Sequence, residues 1–121
     1  MLQQKEPQDY VLATGATNSV RKFVELSFKE IGKEIVWSGI GADEKGYDKE
    51  SGNVLVEVSR EFFRPSEVDL LMGDASKAKA ELGWVSKTTI DQLVSIMMQS
   101  DLEYVSRIER KSVKLADAST L

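Results

Sequence analysis

The sequence predicts an α/β fold of mixed strands and helices. Short apolar runs bounded by polar or glycine-rich segments are typical of buried strands. Two longer segments repeat apolar residues every three or four positions, as amphipathic helices do. The chain has 121 residues, which is the length of one domain. The predicted strands are too few to form a doubly wound sheet within this chain.

The first predicted elements are a strand, a loop and a helix. Residues 10–13 (Tyr-Val-Leu-Ala) form an apolar run that predicts a short buried strand. Asn18 or Ser19 is expected to cap the following helix, because a side-chain oxygen there can accept an otherwise unpaired backbone N–H. Apolar residues at helical spacing extend this helix over residues 20–31, and Gly32 is placed to end it in a left-handed turn.

Two strands and a long loop are predicted in the middle of the chain. Residues 34–37 and 54–58 are short apolar runs and predict strands. Residues 38–53 between them are polar and rich in glycine, which predicts a loop. A loop of this length is more often functional or mobile than purely structural.

A short helix is predicted before the second tryptophan of the chain. Asp74 or Ser76 is expected to cap it, and it should continue to Leu82. Gly83 is placed to end this helix, and Trp84 should anchor the chain after it.

The last predicted element is a longer helix. It should begin at Thr88 or Thr89 and run to about Arg107, and the tail of residues 108–121 is expected to be flexible. Its apolar stripe comprises Ile90, Leu93, Val94, Met97, Met98, Leu102 and Val105.

Composition excludes several classes of function. The net charge is −4, from 16 basic and 20 acidic residues, so the basic surplus of a nucleic-acid binder is missing. The chain has no cysteine and no histidine, which rules out disulfides, thiolate metal sites and a Ser-His-Asp triad within it. No apolar run is long enough to span a membrane, and the first residues lack the apolar core of a signal peptide. A cytoplasmic protein is therefore expected.

The segment around Arg64 is the most informative motif. Arginine presents a planar fork of donors that suits phosphate oxygens, and Pro65 after it makes the turn rigid. Glu67 could accept hydrogen bonds from two sugar hydroxyls, so the segment could hold a phosphate and the adjoining ribose. The alternative is a surface ion pair from Arg64 to Glu67 or Asp69, and spacing alone favours that alternative.

The segment before the first helix is a weaker candidate. A strand that leads through a glycine loop to a helix N-terminus can hold an anion, and Arg21 could reach a ligand there. Gly15 is the only glycine in this loop, so the three-glycine spacing of a dinucleotide site is missing. On spacing alone, Arg21 is more often a solvated helix residue. Trp37 and Trp84 could stack on a base, but core packing is the more frequent fate.

Taken together, several sequence blocks resemble the C-terminal third of the GDP-mannose 4,6-dehydratase family. The resemblance covers residues 1–107, and its specificity comes from the order and separation of the blocks. They are residues 10–15 (YVLATG), 19–25 (SVRKFVE), 32–39 (GKEIVWSG), 63–69 (FRPSEVD), 73–79 (GDASKAK) and 82–84 (LGW).

The resemblance implies a fold and a reaction. The family belongs to the extended short-chain dehydrogenases/reductases, so this chain would be the C-terminal part of that fold, with the Rossmann core largely absent. The family's N-terminal Rossmann domain binds NADP, and its C-terminal part binds the nucleotide-sugar. GDP-mannose loses water to give GDP-4-keto-6-deoxymannose, on the route to GDP-fucose. Members are commonly homo-oligomers.

The resemblance also implies roles for individual residues. Arg64 matches the arginine that contacts the diphosphate, and Glu67 matches the acidic position that contacts the ribose. Arg21 lies in the family's Ser-Val-Arg block and is a third candidate for substrate binding. The chain departs from the family pattern at a few positions, which affects loop geometry: Asn18 replaces a histidine, Ser59-Arg60 an aspartate–proline pair, Phe62 a tyrosine and Ser86 a proline.

The catalytic residues of the family have no match in this chain. The glycine-rich NADP loop, the threonine–glutamate pair and the tyrosine–lysine pair lie upstream in the family, and Tyr10, Tyr47 and Tyr104 are not followed four residues later by lysine. Met1 matches an internal stretch of the family. The expectation is a fragment that contributes the nucleotide-sugar site and is not competent alone. The alternatives are a stand-alone GDP-sugar-binding module and a non-functional remnant.

Overall fold

The computed structural model describes residues 1–66 and 70–119, with side chains described through Lys114. It confirms the mixed α/β class. A three-stranded antiparallel sheet in the order β1-β2-β3 is combined with three α-helices and one 3-10 turn in the described ranges. In chain order the elements are α1 (Val20–Glu30), β1 (Ile35–Ser38), the 3-10 turn (Gly41–Asp43), β2 (Lys45–Asp48), β3 (Val54–Glu57), α2 (Ser76–Leu82) and α3 (Ile90–Ser119).

Helix α1 forms as predicted, because signals at both ends are local. The Ser19 hydroxyl accepts the backbone N–H of Lys22 at 3.1 Å, which satisfies one of the unpaired donors of the first turn. At the other end, Gly32 adopts a φ of +75°, and its N–H and that of Lys33 donate to the carbonyls of Lys29 and Phe28. This pair of bonds is the Schellman ending that glycine favours.

The prediction of one long loop over residues 38–53 was wrong. This segment contains the 3-10 turn and all of β2, which pairs antiparallel with both β1 and β3. Gly46 explains the difference, since it lies opposite Trp37 in the sheet. A Cβ there would lie 2.9 Å from Ile35 Cγ2 and 3.1 Å from the Trp37 ring. Glycine here makes room for a neighbouring ring, although in the sequence it resembles a loop residue.

The prediction of a strand over residues 10–13 was also wrong. These residues are irregular, and in the described part of the chain the sheet consists of β1, β2 and β3. A strand needs a hydrogen-bonded neighbour, and none of these strands pairs with the segment. It runs instead beside Gly73, where a Cβ would lie 2.5 Å from Ala13 Cβ.

Helix α2 ends at Gly83 as predicted, but its N-cap is Ala75, which makes no side-chain capping bond, so the prediction that Asp74 or Ser76 caps it was wrong. The Asp74 carboxylate accepts the N–H of Ser76 at 2.9 Å, and Gly83 ends the helix with a φ of +67°. The two hydrogen bonds from Ser76 lower the pKa of Asp74.

Helix α3 begins where the sequence predicted and ends later. Thr89 Oγ1 accepts the N–H of Gln92 at 3.3 Å, and Gln92 Oε1 accepts the N–H of Thr89 at 3.0 Å, which is a capping box. The predicted end near Arg107 was wrong, since the helix continues to Ser119. Residues 108–119 contain no glycine or proline, so nothing local interrupts the helix. Flexibility of residues 108–121 stays a prediction.

The chain buries little apolar surface. In the parts of the chain that the structure describes, the buried apolar side chains are Ala78 and Val94, and α1 packs against α3. The accessible surface is 10355 Å², whereas a compact protein of this mass exposes roughly 6,500 Å². Large apolar side chains therefore remain exposed, among them Val20, Ile40, Phe62, Leu70 and Leu71.

Candidate functional site

Arg64 lies on an exposed turn that follows β3. We call residues 59–65 the arginine turn. The N–H of Phe62 donates to the carbonyl of Ser59 at 3.2 Å, which tightens its first part, and Arg64 and Pro65 are both exposed. Glu67, the predicted ribose ligand, lies outside the described residues, as does Asp69 of the alternative ion pair. The predicted pairing of Arg64 with Glu67 is therefore untested.

The 3-10 turn lies against the arginine turn. A Cβ built on Gly41 would lie 3.8 Å from Cζ of Phe63, the residue before Arg64. Asp43 and Arg60 form an ion pair between the two turns. Both of these side chains are largely exposed, so the pair contributes little stability by itself. The 3-10 turn and the arginine turn are therefore in contact close to Arg64.

Arg21 is engaged by side chains of this chain. Its guanidinium pairs with the Glu44 carboxylate and lies 4.9 Å from the centroid of the Trp37 ring. The indole N–H of Trp37 donates to Glu25 at 2.8 Å. Trp37 thus packs in a polar cluster between α1 and β1, and it is half-buried rather than part of the buried core that was predicted as its more frequent fate. Sequence reasoning missed Glu44, because no local pattern pairs it with a residue 23 positions upstream.

Tyr10 is held in a way that does not suit proton abstraction. Its hydroxyl donates to the Glu81 carboxylate at 2.8 Å, and this hydrogen bond raises the pKa of Tyr10. The ammonium of Lys77 lies 4.9 Å from the centroid of the ring and also contacts the carbonyl of Asp9. A catalytic tyrosine base needs a pKa lowered toward neutrality, so Tyr10 has the opposite environment.

Asp48 is the centre of a second polar cluster, which closes the turn between β2 and β3. The carboxylate accepts hydrogen bonds from the Lys33 ammonium at 2.9 Å, from the Ser51 hydroxyl at 2.8 Å and from the N–H of Glu50 at 3.2 Å. These bonds, with Lys33 the largest cause, lower the pKa of Asp48. Every partner lies within the hairpin or at its edge, which indicates a structural role.

The loop before α1 does not have the pattern of a dinucleotide site. The loop before α1 has Gly15 as its one glycine, and the helix N–H of Lys22 is taken by Ser19 rather than left for a pyrophosphate. Among the described residues, no group of three or more His, Cys, Asp or Glu side chains is placed to hold a metal ion. Within the same residues, no helix is both long and apolar enough to cross a membrane.

Comparison with known proteins identifies the chain. A family model described as GDP-mannose 4,6 dehydratase matches residues 1–97, which include the arginine turn. The class is therefore that of proteins related to sugar-nucleotide dehydratases. More narrowly, the chain belongs to the GDP-mannose 4,6-dehydratase family, as the sequence blocks predicted.

Individual relatives agree with this assignment. The chain is 53% identical over 107 residues to GDP-mannose 4,6 dehydratase of Drosophila melanogaster, covering 88% of this chain and 27% of that protein. It is 50% identical over 103 residues to the human protein of the same name, with 85% and 28% covered. The Vibrio cholerae GDP-mannose 4,6-dehydratase is 47% identical over 113 residues, with 85% and 30% covered. The chain thus spans less than a third of the length of these curated relatives.

Proposed function

We propose that this chain forms the GDP-sugar-binding portion of a GDP-mannose 4,6-dehydratase, which converts GDP-mannose to GDP-4-keto-6-deoxymannose. The observation that carries the proposal is the arginine turn, which places Arg64, an exposed residue, beside a proline within the matched region. Relatives that share the matched region are named for action on GDP-mannose.

Arg64 is proposed to bind the diphosphate. A guanidinium can donate two parallel hydrogen bonds to phosphate oxygens, and these charge-assisted bonds are stronger than neutral ones. Pro65 restricts the backbone at its own position and at Arg64, so less backbone freedom is lost when the turn binds a ligand. Glu67, three residues on, is proposed to accept hydrogen bonds from the ribose hydroxyls.

The chemistry of the reaction is proposed to come from outside this chain. The chain has no tyrosine followed four residues later by lysine, and its one candidate glycine loop does not fit NADP. In the proposed enzyme, a Rossmann portion would hold NADP, and the cofactor would supply the hydride transfer from the sugar and back to it. The exposed apolar surface described above supports packing against such a portion. A homo-oligomer and a cytoplasmic location belong to the same proposal, and this chain alone should not turn over substrate.

Calorimetric titration of the 121-residue chain with GDP tests the binding role. Saturable binding is expected, and Arg64→Ala should weaken it about 10- to 150-fold, as for the loss of a charge-assisted hydrogen bond. Arg107→Ala is the matched control, because it removes an exposed arginine of α3 and should leave GDP binding unchanged. Absence of binding at millimolar GDP would overturn the proposed role.

A turnover assay tests the second half of the proposal. The chain is incubated with GDP-mannose and NADP, and the products are separated by chromatography. No 4-keto product is expected. Formation of product by this chain would contradict the assignment of the chemistry to another portion of the enzyme.

A further inference from the structure

We infer that Arg21 and Glu44 are positioning residues for Arg64: their ion pair holds the 3-10 turn against Phe63 and so orients the arginine turn. The inference rests on the proposed function, because it assigns Arg21 an indirect part in the same GDP site. It differs from the direct substrate contact that the sequence suggested for Arg21.

The first link joins α1 to Glu44. Arg21 is the second residue of α1, directly after the end that Ser19 caps, so its backbone is well fixed. The central carbon of its guanidinium lies 4.9 Å from the centroid of the Trp37 ring of β1, and its Nη2 pairs with Glu44. The side chains of Arg21 and Glu44 are 50% and 22% exposed, so this pair is less solvated than the Arg60–Asp43 pair. Reduced solvation strengthens the attraction between the charges.

The second link joins Glu44 to the whole 3-10 turn. The N–H of Glu44 donates to the carbonyl of Gly41 at 3.3 Å, and that of Asp43 donates to the carbonyl of Ile40 at 3.2 Å. At the start of the turn, a Cβ on Gly39 would lie 2.5 Å from the carbonyl oxygen of Asp43. The backbone of residues 39–43 is therefore closely packed on itself. A displacement of Glu44 should move these residues together.

The third link joins the turn to the arginine turn. Gly41 faces the far end of the Phe63 ring, and Asp43 pairs with Arg60. Phe63 directly precedes Arg64 in the chain, so a contact that holds Phe63 also restrains the backbone at Arg64. The contacts form a continuous path from α1 to Arg64.

The Nη2 of Arg21 is already paired within this chain. A phosphate at that nitrogen would have to compete with Glu44, a carboxylate that is mostly shielded from water. The observed partners of Arg21 favour the indirect role.

Nuclear magnetic resonance of the 121-residue chain tests the mechanical part without GDP. Glu44→Gln should shift the Gly41 amide, the Phe63 ring and the Arg64 side-chain N–H resonances. Glu34→Gln is the matched control, because it weakens the exposed Lys49–Glu34 pair at the edge of the sheet and should leave those resonances in place. Unchanged Gly41 and Phe63 resonances in folded Glu44→Gln would overturn the inference. If Glu44→Gln does not fold, Arg21→Lys keeps the charge but removes the planar fork, and the same resonances decide.

GDP titration tests the functional part. Glu44→Gln should weaken GDP binding about 2- to 30-fold, as for a residue that acts through others, and Glu34→Gln should not. The double variant Arg21→Glu/Glu44→Arg rebuilds the ion pair in reverse and should bind GDP better than Arg21→Glu alone. If Arg21 touches the phosphate, the double variant stays as weak as the single one, which would overturn the positioning role. If the unmodified chain binds no GDP, the proposed function fails, while the resonances still decide the coupling.

Discussion

The Lys33 ammonium lies 2.9 Å from a carboxylate oxygen of Asp48, and Asp48 is the buried charged residue of the described structure. The pair joins the loop after α1 to the end of β2, which lies 15 residues further along the chain. A buried carboxylate needs such partners, since its desolvation is otherwise unfavourable.

This pairing predicts a loss of stability in acid. The hydrogen bonds from Lys33, Ser51 and Glu50 lower the folded-state pKa of Asp48 below its ordinary value of 3.8. The stabilisation is therefore fully present above that ordinary value and is lost as the pH falls through the folded-state pKa. Thermal unfolding followed by circular dichroism should show a midpoint temperature that decreases once the pH is below about 4.

Asp48→Asn should lower the midpoint at neutral pH and flatten this acid dependence. Lys33→Gln should raise the pKa of Asp48 toward its ordinary value, which a carboxyl titration by nuclear magnetic resonance would detect. An acid dependence as steep in Asp48→Asn as in the unmodified chain would show that another group is responsible.

Gly46→Ala should disturb the sheet. The added methyl group would lie 2.9 Å from Ile35 Cγ2 and 3.1 Å from the Trp37 ring, closer than van der Waals contact allows. Overpacking of this kind costs about 1–3 kcal/mol of the free energy of unfolding. The Trp37 indole N–H resonance should shift as the ring moves. Ile35→Ala removes one of the two clashing groups, so Gly46→Ala should cost less in that background, and an equal cost in both would count against the clash.

Gly83→Ala should weaken the end of α2 through backbone strain alone. A Cβ there meets no atom within 4 Å, but the φ of +67° is left-handed. That conformation costs an alanine roughly 1–2 kcal/mol. Gly83→Asn should cost less, because asparagine tolerates this region better. Denaturant unfolding compares the two variants, and equal effects would indicate that packing rather than φ decides.

Thr89→Ala should destabilise the first turn of α3. It removes the hydroxyl that accepts the Gln92 N–H, and loss of such a cap costs about 1 kcal/mol. Amide hydrogen exchange of Gln92 and Leu93 should become faster. Thr88→Ala is the matched control, since its hydroxyl makes no side-chain hydrogen bond within the described structure, and faster exchange in that variant too would contradict the capping role.

The helix ends that the sequence predicted correctly depend on residues only a few positions apart in the chain. Helix α1 is set by Ser19 and Gly32, and α2 ends at Gly83, so local rules were sufficient. Strand β2 was missed because glycine is needed at position 46 to make room for the Trp37 ring, and Trp37 is distant in sequence but adjacent in the sheet.

In the candidate site too, some residues could be predicted from the local sequence and others depend on partners that are distant in the chain. Arg64 and Glu67 were singled out because their chemistry and the resemblance agree. Glu44 could not be found, because the reason for its position is a guanidinium on another element. Arg21 was found by its motif, but its partners were visible only in three dimensions.

The small buried core has a consequence for how the stability of this chain should be measured. With Ala78 and Val94 as the buried apolar side chains of the described residues, the chain has little cohesive free energy of its own. By mass action, any molecule that covers the exposed apolar surface of the folded form raises its unfolding midpoint in proportion to the logarithm of its concentration. A melting temperature for this chain is therefore incomplete unless the protein concentration and every companion molecule in the sample are stated with it.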